Sequence, residues 1–358
     1  MLQELYCEIA GHRFTVETPD KELTTMLLPS FRPFWIERDA ASEEAWVPRG
    51  AWETLPTGEA AGRMEIGEIR ETDETREIDK IRETDETGRT DKTVVTHNNG
   101  TSSTNSENRT TKLLFRFSGN KDIPVPETEP VETMDFEGTK FHVYRTAKGT
   151  TISMRIEEKV HYMFASEDRT IFKSDLTLVK REENRFLLYL LRAAYGMAAI
   201  HHQTIKIHAS VTEKEGKALI FLGKSGTGKS THSRLWKEFV PESSLLNDDE
   251  PIVRLLNDGS VRVYGAPWSG STPCYRNASA EVSAFVHLYQ SAENKLTRLK
   301  GVEAFTSLFQ SSALLRSDEK GRQLAFDLIT DILGKVPYYR LDNRPDREAV
   351  SLTETLMG

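Results

Sequence analysis

The segment Lys217–Ser230 has the sequence KALIFLGKSGTGKS and decides how the second half of the chain is organised. After the first lysine it is apolar up to Leu222, as expected for a buried strand. Residues 223–230 then match the pattern G-x-x-x-x-G-K-[ST], and the residues that follow are compatible with a helix. Because a strand precedes the pattern and a helix follows it, the match has the context that a phosphate-binding loop requires.

The residue types of this loop suit a bound nucleoside triphosphate. Glycines let the backbone turn tightly, so that successive N–H groups face phosphate oxygens at the positive end of the following helix. Lys229 is predicted to reach the β- and γ-phosphates, and Ser230 to ligate magnesium. We therefore predict ATP and Mg²⁺ as cofactors. The predicted nucleotide-binding residues are Gly223, Lys224, Ser225, Gly226, Thr227, Gly228, Lys229, Ser230 and Thr231.

Such a site also needs a carboxylate at the end of a nearby strand. The stretch Leu245–Glu250 supplies two, Asp248 and Asp249, unless the pair is only a turn after a strand. If the strand continues through them, their side chains point to opposite faces and cannot both contact the metal from one side. We assign Asp248 to magnesium beside Ser230, although the residues alone leave open which aspartate holds the metal and which takes the proton from the attacking group.

His208 and Arg276 complete the predicted catalytic set with the two aspartates. His208 lies in a predicted strand, Ile205–Val211, antiparallel to the strand before the loop, where it could face the phosphates. A lone histidine is more often structural, so both interpretations stand. Arg276 follows a Gly-, Pro- and Ser-rich loop, 264–273, whose small residues suit close approach of a substrate. It would either stabilise the transferring phosphoryl group or form a surface ion pair.

In this order, the strand with His208, the loop 223–230 and the pair Asp248–Asp249 resemble the C-terminal catalytic domain of HPr kinase/phosphorylase, a relative of ATP-dependent phosphoenolpyruvate carboxykinase. The resemblance covers roughly residues 200–350. It implies a kinase fold with a magnesium nucleotide, in which His208 and one aspartate assist proton transfer from a serine hydroxyl. The N-terminal half is not similar to the regulatory domain of HPr kinase, and Gly265–Ser271 stands in place of that family's second signature. The chain is more similar to HPr-kinase-related proteins, some of which modify peptides.

We predict an ATP-dependent kinase that transfers the γ-phosphate to a hydroxyl, on a serine of a protein or peptide or on a small molecule. Catalysis would rest on positioning and electrostatics, with Lys229, the loop amides and magnesium neutralising the γ-phosphate. The alternative is a nucleotide-hydrolysing switch or assembly protein without a phosphoacceptor. A carboxykinase would need a second metal site and a cluster of substrate-binding arginines, which the sequence does not supply.

A polar segment interrupts the N-terminal half. Between Glu53 and Leu114 there is no Phe, Tyr or Trp, and the heptapeptide IRETDET occurs at 69–75 and again at 81–87. Such a segment cannot bury enough apolar surface to offset its ordering entropy. We predict a disordered or weakly helical insert at about 62–112, as a solvated loop in preference to a partner-binding arm.

The residues around the insert predict a β-rich domain. Up to about residue 60, short apolar runs alternate with turn signals, as in Tyr6–Val16 and Leu27–Ile36, and short strands fit this region better than helices. Leu113, Phe115 and Phe117 would share one face of a strand. We predict a β-rich N-terminal domain at 1–183, as the candidate for recognition of the acceptor, and a P-loop nucleotide-binding kinase domain at 184–358. With the resemblance, the fold class is α/β, of the HPr kinase and phosphoenolpyruvate carboxykinase type.

Helical periodicity marks much of the C-terminal half. Asn184 is predicted to cap a helix from about Arg185 to His201. Helices are also predicted at about 302–316 and 320–333, followed by a strand at 336–341 and a last helix after Pro345. His232 and Trp236, on the helix after the loop, are interpreted as packing residues.

Composition limits the partners. A formal net charge of −8 over 358 residues argues against nucleic acid or an anionic membrane as a partner of the whole protein. Cys7 and Cys274 lack metal-binding spacing and are predicted to be free thiols in a reducing compartment. No signal region begins the chain, and its most apolar stretch, Phe186–Ile200, is short and broken by Arg192. We expect a soluble, cytoplasmic protein with an unknown phosphoacceptor; a homo-oligomer remains open.

Overall fold

The computed structural model describes residues 2–37, 112–136, 138–270 and 272–358. The predicted insert lies, up to residue 111, outside these ranges. The described residues form two nine-stranded mixed sheets and six α-helices. The protein is therefore mixed α/β, with one sheet built from each half of the chain.

The first sheet is formed by the residues on either side of the insert. Two of its pairings are parallel, those of the fourth strand with the second and the ninth, and the others are antiparallel. Phe115 and Phe117 are both buried in this sheet, as predicted, whereas Leu113, which was predicted to share their face, precedes the strand and is half-buried. The strands are β1 (Gln3–Ile9), β2 (His12–Thr18), β3 (Trp35–Ile36), β4 (Phe115–Ser118), β5 (Glu132–Phe136), β6 (Thr139–Thr146), β7 (Gly149–Ile156), β8 (Lys159–Ser166) and β9 (Ile171–Ser174), in the spatial order β3-β1-β2-β4-β9-β8-β7-β6-β5.

Most of the region between β2 and β3 is helical, so the prediction of short strands there is wrong. Helix α1 (Lys21–Leu27) begins after Asp20, whose side chain accepts a hydrogen bond from the backbone of Leu23 at 3.0 Å. A 3₁₀-helix over Pro29–Phe34 follows. Its buried residues, Phe31 and Phe34, are three positions apart and therefore lie on one face of a helix with three residues per turn.

Helix α2 (Asn184–Ala199) packs on the first sheet. Its residues Leu187, Leu190 and Ala194 are fully buried in the same apolar cluster as Phe14 of β2. The predicted helix is confirmed, but the predicted cap is wrong because Asn184 is already the first helical residue. Glu183 precedes the helix, but its carboxylate does not cap it. This carboxylate accepts hydrogen bonds from the hydroxyl of Thr177 and from the backbone N–H of Leu178.

The second sheet contains the predicted phosphate-loop strand. Its strands are β10 (Thr204–Lys206), β11 (Ala209–Lys214), β12 (Lys217–Leu222), β13 (Ser244–Asp249), β14 (Ile252–Leu255), β15 (Val261–Tyr264), β16 (Ser279–Gln290), β17 (Lys295–Leu299) and β18 (Tyr338–Asn343). The order is β10-β14-β15-β16-β12-β11-β13, with β18 paired to β16 and to β17. The two parallel pairings among these described strands both involve β16, which pairs with β12 and with β18. The antiparallel pairing of β11 with β12 is confirmed.

The strand predicted over Ile205–Val211 is interrupted at Ile207 and His208. The backbone N–H of Ile207 donates to Pro251 O, whereas that of His208 donates to Ser311 O, so the chain changes partners between β10 and β11. This break leaves His208 directly before Ala209, the first residue of β11, which pairs with Asp249 at the end of β13.

Helices cover both faces of the second sheet, and alternate residues of β12 divide between the two apolar clusters. Helices α3 (Lys229–Phe239) and α6 (Arg347–Glu354) pack on one face, and α4 (Gly301–Gln310) and α5 (Glu319–Leu333) on the other. His232 and Trp236 of α3 are buried, and both contact the hydroxyl of Thr353, which confirms them as packing residues.

Two predicted boundaries in this half are wrong. Helix α4 ends at Gln310, six residues early, because Ser311 and Ala313 form backbone hydrogen bonds with His208 and Lys206. The last strand is shifted to Tyr338–Asn343.

Both cysteines are free, as predicted. In the part of the chain that the structure describes, no helix is long and apolar enough to cross a membrane.

His12 joins the two sheets, since its Nε2 lies 2.8 Å from Thr204 Oγ1 of β10. Burial, followed by the positive charges of Arg254 and His202, lowers the pKa of His12 from 6.5 to about 3. As the pH falls below 6.5, the unfolded chain therefore binds a proton at this histidine, whereas the folded protein does not bind one until the pH approaches 3. The resulting stabilisation is complete above that pH and is lost as the pH falls towards 3.

We expect this histidine to lower the free energy of unfolding by about 2 kcal/mol between pH 7 and pH 5. The variant His12→Gln keeps a polar side chain opposite Thr204 and should lose this part of the pH dependence. Urea denaturation of both proteins at the two pH values measures the difference. An identical pH dependence in the two proteins would contradict a neutral, buried His12.

Candidate functional site

Three chain segments meet at one edge of the second sheet. The loop Gly223–Ser230 leaves the carboxyl end of β12, Asp248 and Asp249 end β13, and His208 precedes β11. Since β11 is antiparallel to both of its neighbours, its start lies beside the ends of β12 and β13. The fold thus brings together residues that are up to 41 positions apart in the chain.

Glycines determine the path of the loop. Gly223 has φ 145°, and a Cβ there would lie 2.5 Å from Thr227 Oγ1 and 3.1 Å from Leu288 O. Gly228, with φ 101°, leads directly into α3. No described side chain caps the start of this helix. Its first-turn N–H groups, including that of the half-buried Thr231, are therefore donors that an anion can use.

Lys229 folds back over the loop. Its Nζ donates to Gly223 O at 2.8 Å and lies 3.2 Å from His208 Nε2. Partial burial lowers the pKa of Lys229, and the nearby carboxylates of Asp248 and Asp249 oppose that shift. The ammonium group thus stands between the loop carbonyls and the carboxylates, while Lys224 and Ser225 at the tip of the loop are exposed.

Ser230 and Asp248 form a pair of oxygen donors. Ser230 Oγ donates to Asp248 Oδ1 at 3.0 Å, and Asp248 is buried. Magnesium prefers oxygen ligands and is usually held by one or two carboxylates together with water and phosphate oxygens. These two side chains therefore fit the predicted ion. The described residues contain no cluster of three or more His, Cys, Asp or Glu side chains that could hold a metal, so phosphate and water would complete its coordination.

Asp249 faces different partners from its neighbour. Its Oδ1 lies 3.4 Å from His208 Nδ1, and its Oδ2 accepts a hydrogen bond from Arg192 Nη2 at 3.0 Å. The His208 side chain is 42% exposed and that of Asp249 only 10%. A carboxylate oxygen thus lies close to one ring nitrogen of His208, while the other nitrogen faces Lys229. This is an arrangement that can take up a proton from a bound hydroxyl.

A buried ionic network lies behind Asp249. Glu250 Oε2 accepts hydrogen bonds from Arg192 Nε at 2.8 Å and from Lys206 Nζ at 2.9 Å. With Asp249, the network contains two cations and two carboxylates, all nearly inaccessible to solvent. The charges balance, which is the condition under which buried ions are tolerated.

The charges of the network are coupled. Burial disfavours the ionised form of Glu250, but Arg192 and Lys206 outweigh it and hold the pKa of that carboxyl well below its usual range. Burial alone would lower the pKa of Arg192, but the carboxylates of Glu250 and Asp249 outweigh it and raise that pKa. Burial lowers the pKa of Lys206, against the attraction of Glu250. Sequence reasoning missed the role of these residues, although an arginine inside the apolar stretch 186–200 was a signal for one of them.

The loop after β15 packs against the end of β13, which carries the two aspartates. Gly270 N donates to Asp248 O at 2.6 Å, and the indole of Trp268 donates to Glu250 O at 2.7 Å. Asn247 in turn donates to Trp268 O at 3.0 Å. A Cβ at Gly270 would lie 3.0 Å from Asp248 O. The small residues of this loop therefore allow close backbone packing against β13.

Neither the protein-family models nor the curated proteins match this chain. The chemistry available at the sheet edge therefore follows from its own donor and acceptor atoms.

Arg276 is held elsewhere. Its Nη2 lies 2.8 Å from Glu213 Oε1, and its Nη1 donates to Ser244 Oγ and Leu245 O at 2.9 and 2.7 Å. Ser244 begins β13, four residues or about 13 Å of extended strand before Asp248. The structure thus gives Arg276 the ion pair that was its alternative interpretation and does not bring it to the loop.

Proposed function

We propose that this chain is an ATP-dependent, HPr-kinase-like kinase that transfers the γ-phosphate to a hydroxyl of a protein, peptide or small molecule. The observation that carries the proposal is the convergence of two pairs at one sheet edge. Ser230 Oγ lies 3.0 Å from Asp248 Oδ1, and Lys229 Nζ lies 3.2 Å from His208 Nε2. A site that only held phosphate would not need a histidine between its lysine and a second carboxylate, Asp249, which lies 3.4 Å from the ring.

The phosphate groups would be held by the loop amides, the first turn of α3 and Lys229. Lys229 now donates to neutral carbonyl oxygens, at 2.8 Å from Gly223 O and 3.4 Å from Lys224 O. A triphosphate would offer charged oxygens in their place, which form stronger hydrogen bonds with an ammonium group. Magnesium, held by Ser230 and Asp248, would supply neutralisation of phosphate charge.

In the transfer step, the acceptor oxygen forms a bond to the γ-phosphorus while the bond from that phosphorus to the bridging oxygen breaks. The electron pair of the broken bond leaves with ADP. We assign the acceptor's proton to His208 Nε2, with Asp249 orienting the ring through Nδ1. Exposure favours His208 as the group that meets the acceptor, since its side chain is 42% exposed and that of Asp249 only 10%.

Transfer of label tests this function. The purified protein is incubated with γ-labelled ATP and magnesium, with and without lysate from its own cell type, beside the Lys229→Ala variant. Label on a lysate component only with the wild type supports a kinase and identifies its acceptor. Release of free phosphate with no labelled acceptor would instead favour a nucleotide-hydrolysing switch.

A further inference from the structure

A cavity of about 220 Å³ lies between the first sheet, α2 and the segment 313–321. Its walls are mainly apolar and include Phe141 of β6, Ile152 of β7 and Leu314. One side is formed by the charged residues Arg192, Lys206 and Glu250 of the buried network. Asp318 also lines the cavity, and its carboxylate accepts hydrogen bonds from Arg169 Nη2 at 3.4 Å and from Gly321 N at 3.0 Å. The cavity is thus apolar at its walls and ionic on the side towards the second sheet.

The ionic side offers no unbalanced charge to an occupant. Arg192 and Lys206 both donate to Glu250, and Arg192 also donates to Asp249. A charged ligand would have to displace one of these buried bonds, and breaking one partner of a buried ion pair is costly. An uncharged apolar group fills the same space without that cost, and it gains from leaving water.

The cavity lies next to the proposed transfer site. Lys206, which lines the cavity, is two residues before His208, and the same chain segment contacts both: Ala313 N donates to Lys206 O, and His208 N donates to Ser311 O, at 3.0 and 2.7 Å. Arg192 joins the two places directly, because its side chain lines the cavity and also binds Asp249.

We propose that this cavity binds an apolar side chain, aromatic or branched aliphatic, of the phosphoacceptor. The acceptor is then an extended peptide with an apolar residue close to the phosphorylated serine. Residues two positions apart lie on one face of an extended chain, about 6.6 Å from each other, so this is the nearest position that can enter the cavity while the serine faces His208. The volume suffices for a phenyl ring, since a cavity of about 150 Å³ holds benzene. The assignment rests on the proposed kinase function.

Three synthetic peptides test the pocket. Each contains one serine between glycines and carries 4-fluorophenylalanine, glycine or lysine at both positions two residues away. Transfer from γ-labelled ATP gives kcat/KM, and the fluorine NMR signal reports binding directly. We expect the aromatic peptide to exceed the glycine peptide on the order of tenfold to a hundredfold, as for burial of one large apolar side chain, and the lysine peptide to gain nothing.

Two variants, each with an alanine replaced by phenylalanine, localise the effect. Ala193→Phe places a ring inside the cavity and should remove the advantage of the aromatic peptide. Ala147→Phe adds the same ring at a separate cavity beside the turn between β6 and β7, and should keep that advantage. ATP binding and thermal unfolding report whether each variant is folded, and the wild-type comparison of the three peptides stands without them.

The outcomes separate the pocket from the kinase function. Equal kcat/KM for the three peptides, or an aromatic advantage that persists in a folded Ala193→Phe, overturns the pocket. If ATP binds but no peptide is labelled, a fluorine shift with the wild type and none with Ala193→Phe supports the pocket and rejects transfer to peptides. No fluorine shift with the wild type, together with no label, overturns the pocket.

Discussion

Lys229→Ala is expected to abolish detectable ATP binding while leaving the fold intact. Its ammonium group lies against the loop, 2.8 Å from Gly223 O, where the phosphates are expected. Removing one partner of a charged, hydrogen-bonded contact costs about 2–5 kcal/mol, which raises Kd by at least about 30-fold. The fold should tolerate the change, because this lysine is half-buried and its ammonium group contacts two loop carbonyls and the ring of His208.

Isothermal titration with ATP and magnesium measures this effect. Lys237→Ala is the matched control, since Lys237 is an exposed lysine in the last turn of the same helix. It should bind ATP as the wild type does. Wild-type affinity in Lys229→Ala would remove the loop from the nucleotide site, and a loss of affinity in both variants would point to damage of α3 instead.

Asp249→Asn is expected to spare ATP binding and reduce phosphate transfer by about 10²–10⁴-fold, the range of general-base catalysis. The amide keeps the shape of the carboxylate but loses its charge. It can present an N–H instead of an oxygen towards His208 Nδ1, so the ring is no longer held with Nε2 ready to accept a proton. Asp248, which faces Ser230 on the other side of β13, keeps its hydrogen bond at 3.0 Å.

Measured transfer rates and ATP affinities for the same protein samples separate these roles. Asp331→Asn, an exposed aspartate of α5, is the matched control for the change of one carboxylate to an amide. Equal loss of ATP binding in Asp249→Asn and Lys229→Ala would argue against separate roles for the two residues. Full transfer activity in Asp249→Asn would exclude the Asp249–His208 pair from the proton transfer.

Local patterns predicted the centre of the site. The loop Gly223–Ser230 is contiguous, and its glycines, lysine and serine are each required by backbone geometry or by the chemistry of phosphate and magnesium. Asp248 and Asp249 could be found because they end an apolar run after a helix-length gap. For the same reason, helices α2 and α5 were predictable from their periodic apolar residues, within a few positions at each end.

Contacts between distant parts of the chain account for what sequence patterns missed. Arg192 and Asp249 are 57 positions apart, and nothing local to either predicts their ion pair. The interruption of the strand at His208 depends on Ser311, whose carbonyl accepts the His208 N–H. The same contact ends α4 early, so one long-range hydrogen bond explains two wrong boundaries. Residues 21–34 were mistaken for strands because a short 3₁₀-helix has no extended periodic signal.

The ionic network behind Asp249 also constrains how this protein can diverge. The network joins three elements: Arg192 lies on α2, Lys206 ends β10, and Asp249 ends β13 with Glu250 directly after it. The loss of any one of these four residues would leave an opposite charge buried without compensation. Gly196 is tied to the same group, because a methyl group there would lie 2.6 Å from Lys206 Cε. Among descendants of a common ancestor, these five positions should therefore be inherited or replaced together, and a relative without the arginine should also lack the glutamate.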